Sequence, residues 1–266
     1  MPNLKVTIEY DGSNYAGWQI QNSPRLTVHS SEKRTIQATI EKTLRKILQE
    51  KVRLIASGRT DAGVHALAQV ANFKTKNKMP LQKLQWALNG NLPQDIVITK
   101  IEKVSADFHS RFSAKSKVYR YLILNRGYPS ALLRDRVYFC RYPLDIKLMR
   151  KEAKWLLGKH DFKSFCASGS SARDTVRRVK KIVIKRIPTS HELQATNATD
   201  NSLIVIDIEA DGFLYNMVRN ITGTLIDIGR GRLPRGSVRH ILIGRNRKLA
   251  GVTLPACGLS LVEVKY

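Results

Sequence analysis

The sequence predicts an α+β protein in two halves, each combining its own helices with an antiparallel sheet. Three observations carry this expectation. Segments of apolar–polar alternation recur along the chain, which is the period of a half-buried strand. Segments with an apolar stripe at helical spacing stand between them. The 266 residues are 42% hydrophobic, enough to fill a sizeable core and too apolar for a disordered chain. Strands and helices in this order would also fit a doubly wound parallel sheet. The alternation argues against it, because a strand covered on both faces reads as a continuous apolar run.

The elements follow in order. Leu4, Val6, Ile8 and Tyr10 alternate with Lys5, Thr7 and Glu9 as a strand, which Asp11-Gly12-Ser13-Asn14 breaks. A polar loop runs on to about Arg34. Thr35 is placed to cap a helix whose Ile36, Ile40, Leu44, Ile47 and Leu48 share one face. Residues 52–57 and 67–74 read as strands around a glycine-bearing turn. A helix over 80–88 is expected to close at Asn89-Gly90 and Pro93. Residues 95–104 and 118–124 are strand-like, 145–157 helical with Gly158 ending the helix, 175–187 and 202–209 strands, 213–228 a helix and 262–266 a strand. The halves are residues 1–108 and 109–266, meeting around 105–115.

The formal net charge is +25, from 46 Lys and Arg against 21 Asp and Glu. Such an excess repels itself in a compact fold and goes with a polyanion, nucleic acid first; the plainer alternative is a basic solvated surface. Residues 173–186 hold seven cations and one acid, and residues 230–248 hold seven cations and no acid. An ordinary surface mixes the signs, so these runs point to a phosphate backbone. The opening residues have no basic stretch before an apolar one, and the longest aliphatic runs are far too short to span a bilayer. Cys140, Cys166 and Cys257 are scattered, which fits neither a disulfide framework nor a structural zinc site. No His spacing suits a metal. A cytoplasmic protein without a metal site and without a membrane partner is expected.

Three segments could carry chemistry. Gly58-Arg59-Thr60-Asp61-Ala62-Gly63-Val64-His65 sits between two strands, and its glycines allow a sharp turn close to a ligand. Asp61, two residues from Arg59, is poised there as an anion, although the same letters describe an Asx turn with a surface ion pair. In the segment 211–219 and the residues that follow it, Leu214, Met217, Val218, Ile221 and Leu225 make a core stripe. Tyr215 and Arg219 are expected at its edge, four apart on one helical face. An arginine there needs a partner or an anionic ligand, or else it snorkels. In residues 111–121 aromatic residues alternate with cations; Tyr119 and Tyr121 face one way, Val118 and Arg120 the other. A ring to stack on and charge for phosphates are what a splayed-out base requires.

Taken in order, these segments resemble the TruA-type transfer RNA pseudouridine synthases over nearly the whole chain. The motifs are Tyr10-Asp11-Gly12-Ser13 with Tyr15 and Gly17-Trp18-Gln19; residues 58–66; Ala87-Leu88-Asn89 with Leu92-Pro93; Arg111-Phe112-Ser113-Ala114; Lys117, Tyr119 and Tyr121; His160-Asp161-Phe162; residues 211–219; and Pro255-Ala256 with Gly258-Leu259. The resemblance implies the pseudouridine synthase fold, two α+β subdomains joined across a central basic cleft, acting as a homodimer without metal or organic cofactor. It implies Asp61 as the nucleophile, Arg219 as its paired arginine, Tyr119 as the ring that stacks on the target base, and Arg59 as a loop arginine that helps displace the nucleotide. The implied substrate is the anticodon arm of tRNA at nucleotides 38 to 40. Three departures stand out: a longer stretch from Asn22 to Arg34, Ala38 where a glycine is usual, and Leu254 where a small residue is usual.

The implied chemistry suits these residues. Isomerising uridine to pseudouridine consumes no oxidant, phosphate donor or hydrolytic water, which agrees with a sequence lacking a P-loop or dinucleotide fingerprint. A carboxylate can add to the ribose or the base, or assist a glycal route, and the letters leave the choice open. Two other readings compete. A non-catalytic RNA-binding protein would use the charge and the rings but leave Arg59-Thr60-Asp61 without a purpose. A glycosidase or nucleoside hydrolase would need a second acid, for which Asp11 is available.

Overall fold

The computed structural model describes residues 1–19, 34–170, 172–188 and 202–266. Most of the long Asn22–Arg34 stretch, residues 22–33, lies outside the described residues. In chain order the elements are β1 (Asn3–Tyr10), α1 (Ile36–Leu48), β2 (Ile55–Ala56), β3 (His65–Lys74), α2 (Leu81–Asn91), β4 (Ile96–Val104), β5 (Ser116–Asn125), β6 (Tyr138–Cys140), α3 (Ile146–Ala153), β7 (Gly158–Asp161), β8 (Val176–Pro188), β9 (Ser202–Ala210), α4 (Met217–Gly229), α5 (Ser237–Gly244) and β10 (Leu259–Lys265). They form two α+β units: residues 1–115 with 260–266, and residues 116–259. The sequence places the seam around 105–115 and keeps the final strand with the second half; in the fold, residues 260–266 return to the first unit.

In the first unit the strands run β4–β1–β3–β10, with β2 beside β3. β1 is antiparallel to both neighbours, Val6 standing opposite Ala71 and Ile101. β3 and β10 pair in parallel over a short stretch, Ser260 opposite His65 and Leu261 opposite Ala66. The alternation of β1 reads directly in its burial: Leu4, Val6, Ile8 and Tyr10 are all buried. In α1, Ile36, Ile40, Leu44 and Leu48 recur every four residues and all are buried. Each is worth about 1.5–3 kcal/mol in removal from water, so packing rather than propensity holds the helix. Thr35 caps it, its Oγ1 accepting from the Ala38 amide at 3.3 Å. Buried polar groups are matched: Asn3 donates to the carbonyls of Ser105 and Phe108, and Asn72 donates to Asn3 Oδ1 while accepting from the Ser110 amide.

In the second unit the strands run β5–β9–β8–β7, with β6 parallel to β5. β5 and β9 are antiparallel, so Tyr119 and Tyr121 meet Ile208 and Ile206 on the buried face. Arg120 meets Asp207 on the other face in a two-point ion pair at 2.7 and 2.9 Å. α4 is buried on all sides apart from Arg219 and Asp227. α5 begins on Gly236, where the buried Glu152 carboxylate accepts from the amides of Gly236 (2.8 Å) and Val238 (3.3 Å). The positive end of the helix and two charge-assisted bonds compensate that buried charge. No helix among the described residues is long and apolar enough to cross a membrane.

The structure departs from the sequence reading at several ends. α2 runs through Asn89 and Gly90 and stops at Leu92, whose extended backbone (ψ 153°) is what the following proline demands. α3 gives way after Ala153 to a 3₁₀ turn, and Gly158, at φ +97°, opens β7 instead of closing the helix. α4 starts four residues later than expected because Asn216 adopts a left-handed conformation, φ +58°. Tyr215 therefore lies outside the helix, exposed, and the expected Tyr215–Arg219 helical face does not form. The core stripe of Leu214, Met217, Val218, Ile221 and Leu225 is buried throughout. β6, β7 and α5 have no counterpart in the sequence reading.

Candidate active site

β2 ends at Ala56 and β3 begins at His65, so residues 57–64 form the loop that carries Asp61. Its start is pinned by a buried pair: Ser57 Oγ donates to Gln69 Oε1 at 2.7 Å, and Gln69 Nε2 donates to the Gly58 carbonyl at 3.0 Å. Its middle rests on Tyr10, whose hydroxyl is 2.7 Å from Thr60 Oγ1. Burial pushes the Tyr10 phenol up, so it stays a neutral O–H. The Trp18 amide donates to the Thr60 carbonyl at 3.0 Å, and the loop closes on itself through Val64 N–H to Asp61 O at 3.1 Å.

Two glycines outside the loop make this possible. Gly17, at φ +94°, lies so near that a Cβ on it would stand 2.6 Å from the Thr60 carbonyl oxygen; a Cβ on Gly12 would stand 2.0 Å from that of Val64. The turn after β1 is thus laid directly against the loop, backbone on backbone. Gly63 takes φ +75° to complete the bend. The outcome is a half-buried Asp61 and an exposed Arg59 on a loop braced from behind. His65 Nδ1 lies 3.2 Å from the Gly12 amide and 3.1 Å from Asp11 Oδ1. Unprotonated, that nitrogen accepts from Gly12; protonated, it donates to Asp11. Asp11, the second acid a hydrolase would need, also accepts from the Ser13 amide (3.0 Å) and hydroxyl (2.6 Å), an Asx turn.

Tyr119 and Arg219 belong to the second unit. Tyr119 is 7% exposed, its ring edge-on to Phe213 with centroids 4.9 Å apart. Arg219 stands in the first turn of α4, half-buried. Its Nε donates to the Leu254 carbonyl at 2.6 Å and its Nη1 to Asn216 Oδ1 at 2.7 Å. Leu254, the departure from the family pattern, is buried and supplies that contact through its backbone.

A buried lattice beneath Arg219 is invisible in the sequence reading. Asn220, fully buried, donates to the Phe165 carbonyl at 2.8 Å and accepts from Arg247 Nη2 (2.9 Å) and Thr253 Oγ1 (2.5 Å). Arg247 also donates to the Ala250 carbonyl at 3.2 Å. Its one sequence signal is a polar residue inside an apolar helix, which must find partners when the helix is buried all round.

Five members of the run at 230–248 have neighbours within the second unit. Arg247 is spent on Asn220, Arg245 on Asp161 at 3.2 Å, and Arg232 lies 3.8 Å from Asp227, while Arg230 and Arg239 lie over the rings of Tyr142 and Trp155. Asp161 is held below the usual carboxylate range: burial opposes this, but the bonds from the Thr175 hydroxyl and the Lys163 amide and the charge of Arg245 outweigh it.

The fold and the charge define the class first: a strongly basic α+β protein of two sheet-bearing units, of the kind that goes with a polyanion. Comparison with known proteins gives the family. The family model described as tRNA pseudouridine synthase matches residues 6–113 and 153–266. The chain is 45% identical to tRNA pseudouridine synthase A of Acetivibrio thermocellus, with the whole of both chains aligned. It is 43% identical to tRNA pseudouridine synthase A of a Thermoanaerobacter species and 42% identical to tRNA pseudouridine synthase A 2 of Clostridium perfringens, again over the full length of each. The chain belongs to the tRNA pseudouridine synthase family, and its activity is that of an isomerase acting on tRNA.

Proposed function

We propose that this chain isomerises uridine to pseudouridine at positions 38, 39 and 40 in the anticodon arm of tRNA, with Asp61 as the nucleophile. The observation that carries the assignment is the bracing of the 57–64 loop by Gly12 and Gly17, which fixes Asp61 half-buried on a backbone with little room to relax. Placing a reacting carboxylate in advance is where an enzyme gains most over a flexible side chain. Arg219 is the guanidinium that keeps the carboxylate ionised, Tyr119 the ring that receives the flipped base, and Arg59, exposed on the same loop, helps displace the nucleotide. Flipping costs a few kcal/mol, and stacking at about 1–3 kcal/mol offsets part of it. The protein works as a homodimer in the cytoplasm.

Asp61→Asn tests this. The amide keeps the shape and loses the nucleophile, so tritium release from C5-labelled uridine in tRNA should fall by at least about 10⁴-fold. Binding of tRNA, which depends on many cations, should stay near that of the unaltered protein. An Asp61→Asn protein that isomerises at the original rate would remove Asp61 from the mechanism. Release from substrates whose sole uridines lie outside positions 38–40 would overturn the site specificity.

A further inference from the structure

At the far end of α4 from Arg219 lies a cluster that the catalytic assignment does not use. Tyr142 follows β6 and is 40% exposed. Its backbone is fixed from below: the buried Asn125 amide donates to the carbonyls of both Cys140 (2.9 Å) and Tyr142 (2.8 Å). The Asp145 amide donates to the Gly229 carbonyl at 2.9 Å, tying the next turn to the end of α4. That tie sets the Arg230 guanidinium over the Tyr142 ring, 3.8 Å from its centroid. Arg141 approaches to 5.0 Å and donates to the phenol oxygen at 3.0 Å. A shallow pocket of about 300 Å³ runs along residues 138–142. Two acids lie near the cluster: Asp227, 3.8 Å from Arg232, and Asp145, whose carboxylate accepts from the Leu148 amide at 2.9 Å.

Surface arginines ordinarily meet carboxylates. Here two of them meet a ring; Arg141 gives one N–H to the phenol oxygen, and a guanidinium has five, so each keeps others for a further acceptor. A guanidinium edge matches a phosphate in two-point geometry. The Tyr142 ring carries Arg230 over it and is still 40% exposed, and that remaining ring surface matches the face of an unstacked base. We infer that Tyr142, Arg230 and Arg141 form a second RNA-binding site, which takes an unpaired nucleotide by its base and adjoining phosphates. The inference rests on tRNA being the substrate. From Arg219 to Arg230 the helix rises about 16 Å at about 1.5 Å per residue, so this site holds a nucleotide other than the one being isomerised.

The test separates affinity from chemistry. Tyr142→Ala and Arg230→Gln should each weaken tRNA binding by about tenfold, with the single-turnover rate at saturating RNA within about twofold of the original. Arg230→Gln should also make the log–log salt dependence shallower by about one contact. Tyr142→Phe keeps the ring and should bind within about twofold. Unchanged affinity in both primary variants overturns the proposal, and so does a fall in saturating rate at unchanged affinity. If either variant loses its thermal transition, Arg141→Gln, on an exposed side chain, takes its place with the same expectation. Weakened binding of polyglutamate with RNA binding intact would assign the surface to an acidic protein and overturn it too. Should the unaltered protein release no tritium while the variants still lose RNA, the isomerase reading falls and this site stands. Tritium release with undiminished binding in the variants gives the reverse.

Discussion

The loop carrying Asp61 and the start of α4 carrying Arg219 both hold a charged side chain at a fixed place, and they do it with different materials. Behind the loop, two glycines let one stretch of backbone lie on another, and main-chain bonds from Trp18 to Thr60 and from Val64 to Asp61 hold its middle. Around the start of α4, the left-handed Asn216 holds Arg219 through its side chain, and beneath them Asn220, Arg247 and Thr253 form a lattice of side chains. A site built from backbone is sensitive to an added carbon and indifferent to much else. A site built from buried polar side chains is sensitive to any lost partner, because the group left behind is stranded away from water.

Three substitutions press on that contrast, in order of the stability each should cost. Asn220→Ala should be the most damaging, at about 3 kcal/mol, since it strands the buried Phe165 carbonyl and removes an acceptor from both Arg247 and Thr253. Thermal unfolding should drop by roughly 6–12 °C. A loss under about 1 kcal/mol would show that the lattice does not hold the helix. Gly17→Ala comes next, at about 2 kcal/mol, for a residue at φ +94° facing the Thr60 carbonyl. It reverses the order in activity: a loop displaced by the new methyl should lose about 100-fold in kcat, while Asn220→Ala, measured below its melting range, should lose less. If Gly17→Ala is as active as the unaltered protein, the loop is not braced as described. Tyr10→Phe should be mildest, at about 1 kcal/mol from one buried hydrogen bond, with kcat within a few-fold. A large kcat loss there would move the weight from the glycines to the Tyr10–Thr60 pair.

The same contrast explains what could be read from the letters. β1 and α1 were legible because their signals are local: alternation at Leu4, Val6, Ile8 and Tyr10, and a four-residue repeat after a threonine cap. The loop over 57–64 was legible as a glycine-bearing turn between strands. Its bracing was not, since Gly12 and Gly17 act on residues more than forty positions away. α5 escaped because it is short and its cap, Glu152, comes from 84 residues upstream of Gly236. The α4 boundary was misread because an asparagine before an apolar stripe looks helical until its backbone is seen to be left-handed. The cation run at 230–248 looked uniform, yet five of its seven members have a designated neighbour: Tyr142, Asp227, Trp155, Asp161 or Asn220. Charge counts cannot separate those uses, because a guanidinium inside a lattice and one facing a phosphate are written with the same letter.

The short parallel pairing of β3 with β10 has a consequence for how the protein comes into being. His65 and Ala66, the first residues after the Asp61 loop, acquire their neighbours Ser260 and Leu261 about 195 residues later in the chain. During translation Asp61, Arg59, Tyr119 and Arg219 have all left the ribosome while that edge of β3 is still open. Closing so long a loop costs little more free energy than closing a shorter one, but it must wait for synthesis at about 5–20 residues per second. Residues 260–266 therefore join the first unit only after the second has been synthesised. A chain cut after residue 259 would keep every candidate residue and leave that stretch of β3 without its β10 neighbour, beside the loop.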